Sequence, residues 1–139
     1  MTGKRFLILA ACANFAIALL HAALPFMGVN GYIYFGTAEL VLLESQGSLV
    51  PEIATWFLAL VFAGFGFYCL SGAGTIRRLP LQNLALWFIG GIYTLRGLIV
   101  ILDILGLILG ETYPLRQTIF STTALVIGLM VLVGINLKK

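Results

Sequence analysis

Charged residues are scarce in this chain of 139 residues: Asp, Glu, Lys and Arg make up 9% of the sequence, and hydrophobic residues make up 61%. Soluble domains have about 25% charged residues, so this chain lacks the polar groups to cover a surface that faces water. Its hydrophobic residues fall into four blocks, each close to the ~20 residues that a helix needs to cross a bilayer. The sequence therefore predicts a single integral membrane domain over residues 1–139.

Cysteine and histidine are also rare, with two Cys residues and one His residue in the whole chain. Cys12 and Cys69 each lie inside a hydrophobic block and not in a CxxC pair, which argues against a disulfide framework or a cysteine zinc site. His21 has no second histidine to complete a metal or haem site. We predict no metal ion and no cofactor.

The basic residues occur singly or in pairs at the ends of the hydrophobic blocks, which is typical of membrane orientation signals and not of a nucleic-acid partner. One side of the predicted membrane carries Lys4, Arg5, Arg77, Arg78, Lys138 and Lys139, and the other carries Glu39, Glu44, Glu52 and Glu111. Because short loops rich in Lys and Arg stay in the cytoplasm, we predict a multi-pass inner (cytoplasmic) membrane protein with both termini cytoplasmic.

The four blocks predict transmembrane helices over approximately residues 6–27, 52–70, 84–109 and 115–137. The fold class is an all-α membrane protein, an up-down bundle of four transmembrane helices. Residues 28–51 would form a long first extracytoplasmic loop, and residues 110–114 a tight second one. The aromatic residues Tyr32, Tyr34 and Phe35 of the long loop would either anchor it at the lipid headgroups or line a lid over the bundle.

Two ionisable residues lie inside the third predicted helix, where each costs something like 2.5–3.5 kcal/mol on insertion scales. Arg96 is near the middle of the helix, and Asp103 is seven residues further on. That spacing places both on nearly the same face, about 10 Å apart along the axis, and Tyr93 lies one turn before Arg96. Arg96 and Asp103 would form either a structural ion pair or part of a binding site.

Polar residues on the other helices would extend this site towards the extracytoplasmic side. Asn14 and His21 share one face of the first helix, and Arg116 stands at the outer end of the fourth. We therefore predict a polar, outward-facing pocket whose ligand-binding residues are His21, Arg96, Asp103, Arg116, Tyr93 and Asn14, with possible contributions from Glu39, Glu44 and Glu52. His21 would supply a hydrogen bond or a pH-sensitive charge.

Such a pocket favours a protein that binds or helps to transport a small anionic molecule or a lipid headgroup, because Arg suits carboxylate and phosphate groups. Two other classes stay open. One is an accessory or assembly subunit of a membrane complex, and the other is a membrane-embedded enzyme that acts on a lipid or quinone. No catalytic residue is assigned. The expected partners are the lipid bilayer, a lipid or small-anion ligand, and a second copy of the chain or a partner membrane protein.

Overall fold

The computed structural model describes residues 2–110 and 115–138 of the chain. The helical segments are α1 (Gly3–Phe35), α2 (Ala38–Ser45), α3 (Val50–Gly72), α4 (Gln82–Gly97), α5 (Ile99–Ile108) and α6 (Leu115–Asn136). Segments α4 and α5 meet at Leu98 and form one apolar span, Gln82–Ile108. The described residues contain no strand, so within them the predicted all-α class is confirmed.

Four helices are long and apolar enough to cross a membrane: α1, α3, the α4–α5 span and α6. Large apolar side chains cover their outer surfaces. Phe26, Leu60 and Leu95, for example, are 82%, 72% and 70% exposed. Contiguous apolar surface of this kind is unfavourable in water and suits hydrocarbon. These helices indicate a multi-pass membrane protein, and their up-down arrangement stays a prediction.

The predicted first helix, which ends at Met27, corresponds to the part of α1 before a break at Gly28, and helical geometry then resumes and continues to Phe35. Its regular backbone is interrupted at Gly28, where φ is 56° and ψ is −147°, a conformation that is essentially restricted to glycine. Pro25 also removes one N–H donor from this part of the helix. α1 therefore consists of two helical segments joined at a kink, and the first of them ends close to the predicted bound.

Residues 28–51, which we expected to form a long loop, are largely helical. They comprise the last part of α1, then α2, whose N-cap Thr37 accepts a hydrogen bond from the Leu40 N–H at 3.5 Å. Tyr32 is buried, and its hydroxyl lies 3.1 Å from Thr55 Oγ1 in α3. This tertiary contact gives Tyr32 a packing role, whereas Tyr34 is exposed as expected of an interfacial aromatic. The predicted turn at residues 111–114 lies outside the described residues.

The chain divides into two compact units, so the single domain stays a prediction. One unit comprises Met1–Ala11 and Phe67–Lys139, and the other comprises Cys12–Gly66. In the second unit, Gly66 of α3 packs against the ring of Phe15 in α1, and a Cβ at Gly66 would lie 2.8 Å from that ring.

In the first unit, α6 packs tightly against α4. A Cβ added at Gly97 would lie 2.4 Å from the backbone of Leu125, and one at Gly90 would lie 2.6 Å from the Leu132 side chain. The partner numbers rise as the α4 numbers fall, so the two helices are antiparallel. Small residues allow this close approach, which is how helices pack in membranes where no hydrophobic force joins them.

Candidate functional site

Arg96 is the charged residue nearest the middle of the apolar span Gln82–Ile108. It stands about 20 Å along the axis from each end of Gln82–Ile108. Its Nη1 donates a hydrogen bond to Ser121 Oγ of α6 at 3.1 Å, and the side chain is otherwise exposed. A guanidinium has five N–H donors, so among the described residues most of this donor capacity is unused.

The bond to Ser121 shows which way the Arg96 side chain extends. Because Gly97 faces Leu125 in an antiparallel pair, Ser121 lies at about the level of Ile101. The guanidinium is therefore displaced towards Ile108 and ends roughly one turn from the level of Asp103. The polar group that Arg96 reaches is Ser121 and not Asp103.

Asp103 is only 2% exposed, and its Oδ2 has no hydrogen-bond partner among the described residues. Thr94 Oγ1, two residues before Arg96 on α4, is also buried without a partner there. A buried polar atom without a partner costs free energy, and a charged one costs more. We name Thr94, Arg96, Asp103 and Ser121 the mid-span polar group. An ion pair or a shared binding site of Arg96 and Asp103 stays a prediction.

Tyr93 and Arg116 lie in the same unit as this group. Tyr93 is buried in α4, and Arg116 is half-buried in the first turn of α6. In the register of the two helices Arg116 is at about the level of Gly106, so Arg96, Asp103 and Arg116 fall within roughly three turns of one another along the axis. Ser121 lies on the polar face of the fourth predicted helix, but neither Ser121 nor Thr94 is among the predicted ligand-binding residues.

Asn14 and His21 belong to the other unit. Asn14 is fully buried, and His21 is half-buried with its ring centroid 4.9 Å from that of Phe62. His21 Nδ1 lies 2.8 Å from the carbonyl oxygen of Ile17. Because a carbonyl can only accept, Nδ1 carries a proton, and in the neutral ring Nε2 is then the acceptor. His21 therefore both packs within its unit and keeps a nitrogen with acceptor capacity.

The three carboxylates Glu39, Glu44 and Glu52 lie in different surroundings. Glu44 and Glu52 lie close enough to Tyr32 to act on it electrostatically, and Glu44 Oε2 is buried without a partner in the described chain. Glu39 is exposed in the first turn of α2, where hydrogen bonds from its own backbone N–H and from the Thr37 hydroxyl lower its pKa. Glu44 and Glu52 therefore both lie near Tyr32, whereas Glu39 takes part in the hydrogen bonds of the first turn of α2.

Comparisons of the chain with protein-family models, curated proteins and solved structures found no match. In the part of the chain that the structure describes, no three His, Cys, Asp or Glu side chains form a group that could hold a metal ion. A functional proposal therefore depends on the chemistry of the side chains, above all on the mid-span polar group.

Proposed function

We propose that this protein is a multi-pass protein of the inner membrane that binds, or helps to transport, a small anionic molecule or a lipid headgroup. Arg96 would be the main anion-binding residue, with Arg116 and Asp103 near it. The proposal depends on one observation: Arg96 lies in the middle of an apolar span with its guanidinium exposed and a single described hydrogen bond, to Ser121.

The depth of Arg96 requires a partner for its charge. A long side chain can place its charged end at the headgroups only when it starts near the end of a helix. Arg96 starts about 20 Å from both ends, which is well beyond the reach of one side chain. An anion or a polar partner within the membrane would supply the missing acceptors.

The surroundings of Arg96 favour an anion in this position. The bond to Ser121 fixes one nitrogen of the fork and leaves its remaining N–H groups for a planar carboxylate or phosphate. The N-terminus of α6, where Arg116 lies in the first turn, adds the positive end of a helix dipole. Asp103 would orient Arg96, directly on ligand binding or through water.

The charge distribution supports an orientation with both termini in the cytoplasm. Lys4 and Arg5 are exposed at the start of α1, Arg77 and Arg78 in the turn between α3 and α4, and Lys138 just after α6. Glu39 and Glu44 lie in α2 and Glu52 in the first turn of α3. By the positive-inside rule the first set would be cytoplasmic, and the anion site would then lie in the half of the membrane that faces away from the cytoplasm.

A second candidate function is that of a subunit in a membrane complex, with a second copy or another protein as its partner. The same exposed guanidinium favours it, because a partner helix that carries a carboxylate or an amide would satisfy Arg96 as well as a small anion would. The two candidates differ in what accompanies the purified protein.

Native mass spectrometry of protein extracted gently from its own membrane tests both, with wild type compared with Arg96→Gln. Loss of a charge-assisted hydrogen bond should weaken binding of a small anion about tenfold or more. Arg77→Gln is the matched control, because Arg77 is exposed in the turn between α3 and α4 and the substitution removes the same charge.

A bound small molecule that disappears in Arg96→Gln and persists in Arg77→Gln would support the anion site and identify its chemical class. A co-purifying protein lost in the same way would support the subunit instead. If wild type carries only bulk lipid and Arg96→Gln merely unfolds, Arg96 is structural and the proposal fails.

A further inference from the structure

A cavity of about 510 Å³ lies at the opposite end of α4 from the mid-span polar group. Its walls come from the starts of α1 and α4, from the turn between α3 and α4, and from the end of α6, all within one compact unit. We name it the basic-end cavity. Its polar lining consists of Ser71, Arg78, Gln82, Asn83 and Lys138, and its apolar lining includes Leu7, Leu86, Trp87 and Ile135.

Hydrogen bonds fix the turn that closes this cavity. The buried Ser71 hydroxyl lies 2.8 Å from Gln82 Oε1 and 3.2 Å from the Arg77 carbonyl oxygen, and these two acceptors share its proton. The same oxygen accepts a bond from the Leu79 N–H at 2.9 Å. Since Ser71 ends α3 and Gln82 begins α4, the hydroxyl ties both helices to the turn.

The two cations of the cavity come from different elements. Arg78 belongs to the turn and is exposed, and Lys138 follows α6 and donates from Nζ to the Gly72 carbonyl oxygen. A second, more open cavity of about 690 Å³ adjoins the first and shares Arg78, Gln82 and Asn83 with it. The cations are therefore placed around a preformed space and are not simply scattered along a surface.

The space and its surroundings suit the headgroup of a lipid. A volume near 500 Å³ is within the roughly 300–1,000 Å³ of small-ligand pockets. Apolar side chains continue the lining out to the helix surface, where Leu84 is 66% exposed and Trp87 is 50% exposed. Trp is typical of the headgroup level of a membrane, and basic pockets between transmembrane helices hold anionic headgroups.

We infer that the basic-end cavity binds the phosphate headgroup of an anionic membrane lipid. Arg78 and Lys138 attract the phosphate, and the Asn83 amide donates a hydrogen bond to it or to the glycerol. The acyl chains lie along the exposed faces of Leu84 and Trp87. A free phosphate ion would use the cations but would gain nothing from this apolar surface, so the lipid is the expected occupant. The site is independent of the one proposed at Arg96.

Lipid titrations followed by native mass spectrometry test this inference, with phosphatidylglycerol as the anionic probe and phosphatidylcholine as the neutral one. Arg78→Gln combined with Lys138→Gln should weaken binding of the first phosphatidylglycerol by about thirtyfold, since each cation near a membrane surface contributes roughly fivefold. The matched control is Lys4→Gln combined with Arg77→Gln, which removes the same charge from exposed residues that do not line the cavity. Because Lys4 and Arg77 are exposed and do not line the cavity, salt screens their charges from a phosphate inside it, and the affinity should stay within about twofold of wild type.

A second pair of variants adds a charge and does not disturb the hydrogen bonds of the turn. Asn83→Asp places a carboxylate in the lining, and Thr75→Asp places one on an exposed residue outside it. We expect Asn83→Asp to weaken phosphatidylglycerol binding about fivefold and Thr75→Asp to change it by less than twofold. This pair keeps the inference testable if the double variant does not fold.

Three results would overturn the lipid assignment. Equal losses in the cavity variants and their controls would show that only total charge matters. Equal binding of phosphatidylcholine and phosphatidylglycerol by wild type would remove the phosphate recognition. Displacement of bound phosphatidylglycerol by millimolar inorganic phosphate, with inorganic phosphate retained on the protein, would assign the cavity to a soluble anion.

Discussion

Two polar regions of the same unit, the turn between α3 and α4 and the mid-span polar group, use their hydrogen-bonding groups in opposite ways. In the turn, Ser71 satisfies Gln82, the Arg77 carbonyl and the Leu79 N–H within a few ångströms. In the mid-span polar group, Asp103 Oδ2 and Thr94 Oγ1 are buried with no partner among the described residues. A satisfied network fixes a structure, whereas an unsatisfied one has capacity for a ligand.

The α4–α6 contact supports the mid-span polar group, and its loss should have the largest effect on stability. At Gly97 a Cβ would lie 2.4 Å from the Leu125 backbone, where no side chain can yield. We expect Gly97→Ala to lower the free energy of unfolding by about 2–3 kcal/mol or more, because the helices must separate. Denaturant titration in mild detergent, followed by circular dichroism, measures this loss.

Gly91→Ala is the matched control for this prediction. Gly91 lies on the same helix with nothing within 4 Å of a Cβ, so the substitution should be neutral or stabilising by up to about 1 kcal/mol. If Gly97→Ala is tolerated equally well, the register that brings Ser121 to Arg96 is wrong, and the comparison between the two regions loses its geometric basis.

Removal of one polar group from each region should change stability by different amounts, both smaller than the effect of Gly97→Ala. Ser71→Ala leaves the Leu79 N–H and Gln82 without their partner and should cost about 1–3 kcal/mol. Asp103→Asn keeps the shape of a side chain that has an unsatisfied oxygen already, so stability should stay the same or rise by up to about 1 kcal/mol.

Ser45→Ala is a control for the Ser71 variant, since the exposed Ser45 hydroxyl bonds only to the Leu42 carbonyl of its own helix. Its effect should lie within about 0.5 kcal/mol of zero. The same unfolding titration compares all three variants. A loss in Asp103→Asn as large as that in Ser71→Ala would make Asp103 a structural residue, and the mid-span polar group would then resemble the turn.

The predictability of these two regions from sequence differs for a physical reason. The four apolar spans follow from composition, which is a local property. The shared face of Arg96 and Asp103 was inferred from helical periodicity and stays a prediction. The bond from Arg96 to Ser121 depends on the register of α6 against α4, which is set by the close contacts at Gly97 and Gly128. The sequence shows those glycines but does not show which residues they face.

The helical structure of residues 28–51 and the basic-end cavity were both missed for related reasons. Glycine and proline near residue 28 predict the end of a helix, yet Tyr32 bonds to Thr55 and the chain returns to helical geometry after the break. The cavity requires Ser71 to meet Gln82 across eleven residues of chain. Both depend on tertiary contacts, which override local preference.

The smallest expected effect concerns Leu81, which precedes α4 in the left-handed conformation with φ 52° and ψ 24°. A residue with a Cβ pays roughly 1–2 kcal/mol for this backbone, and the Leu81 side chain is 75% exposed, so its burial does not offset the cost. Glycine would relieve the strain but would lose more chain entropy on folding. We therefore expect Leu81→Gly to raise the free energy of unfolding by about 0.5 kcal/mol.

Substitution of Leu84 by glycine should instead lower the free energy of unfolding. Leu84 is also largely exposed but lies within the regular part of α4, where glycine costs about 1 kcal/mol. Thermal unfolding of the two variants side by side, in one detergent, gives the difference directly. A stabilised Leu81→Gly beside a destabilised Leu84→Gly would show that the hydrogen bonds of Ser71 hold the turn against backbone strain. Equal losses of stability in the two variants would show that the backbone at Leu81 is not strained. The hydrogen bonds of Ser71 would then not be needed to hold the turn in its conformation.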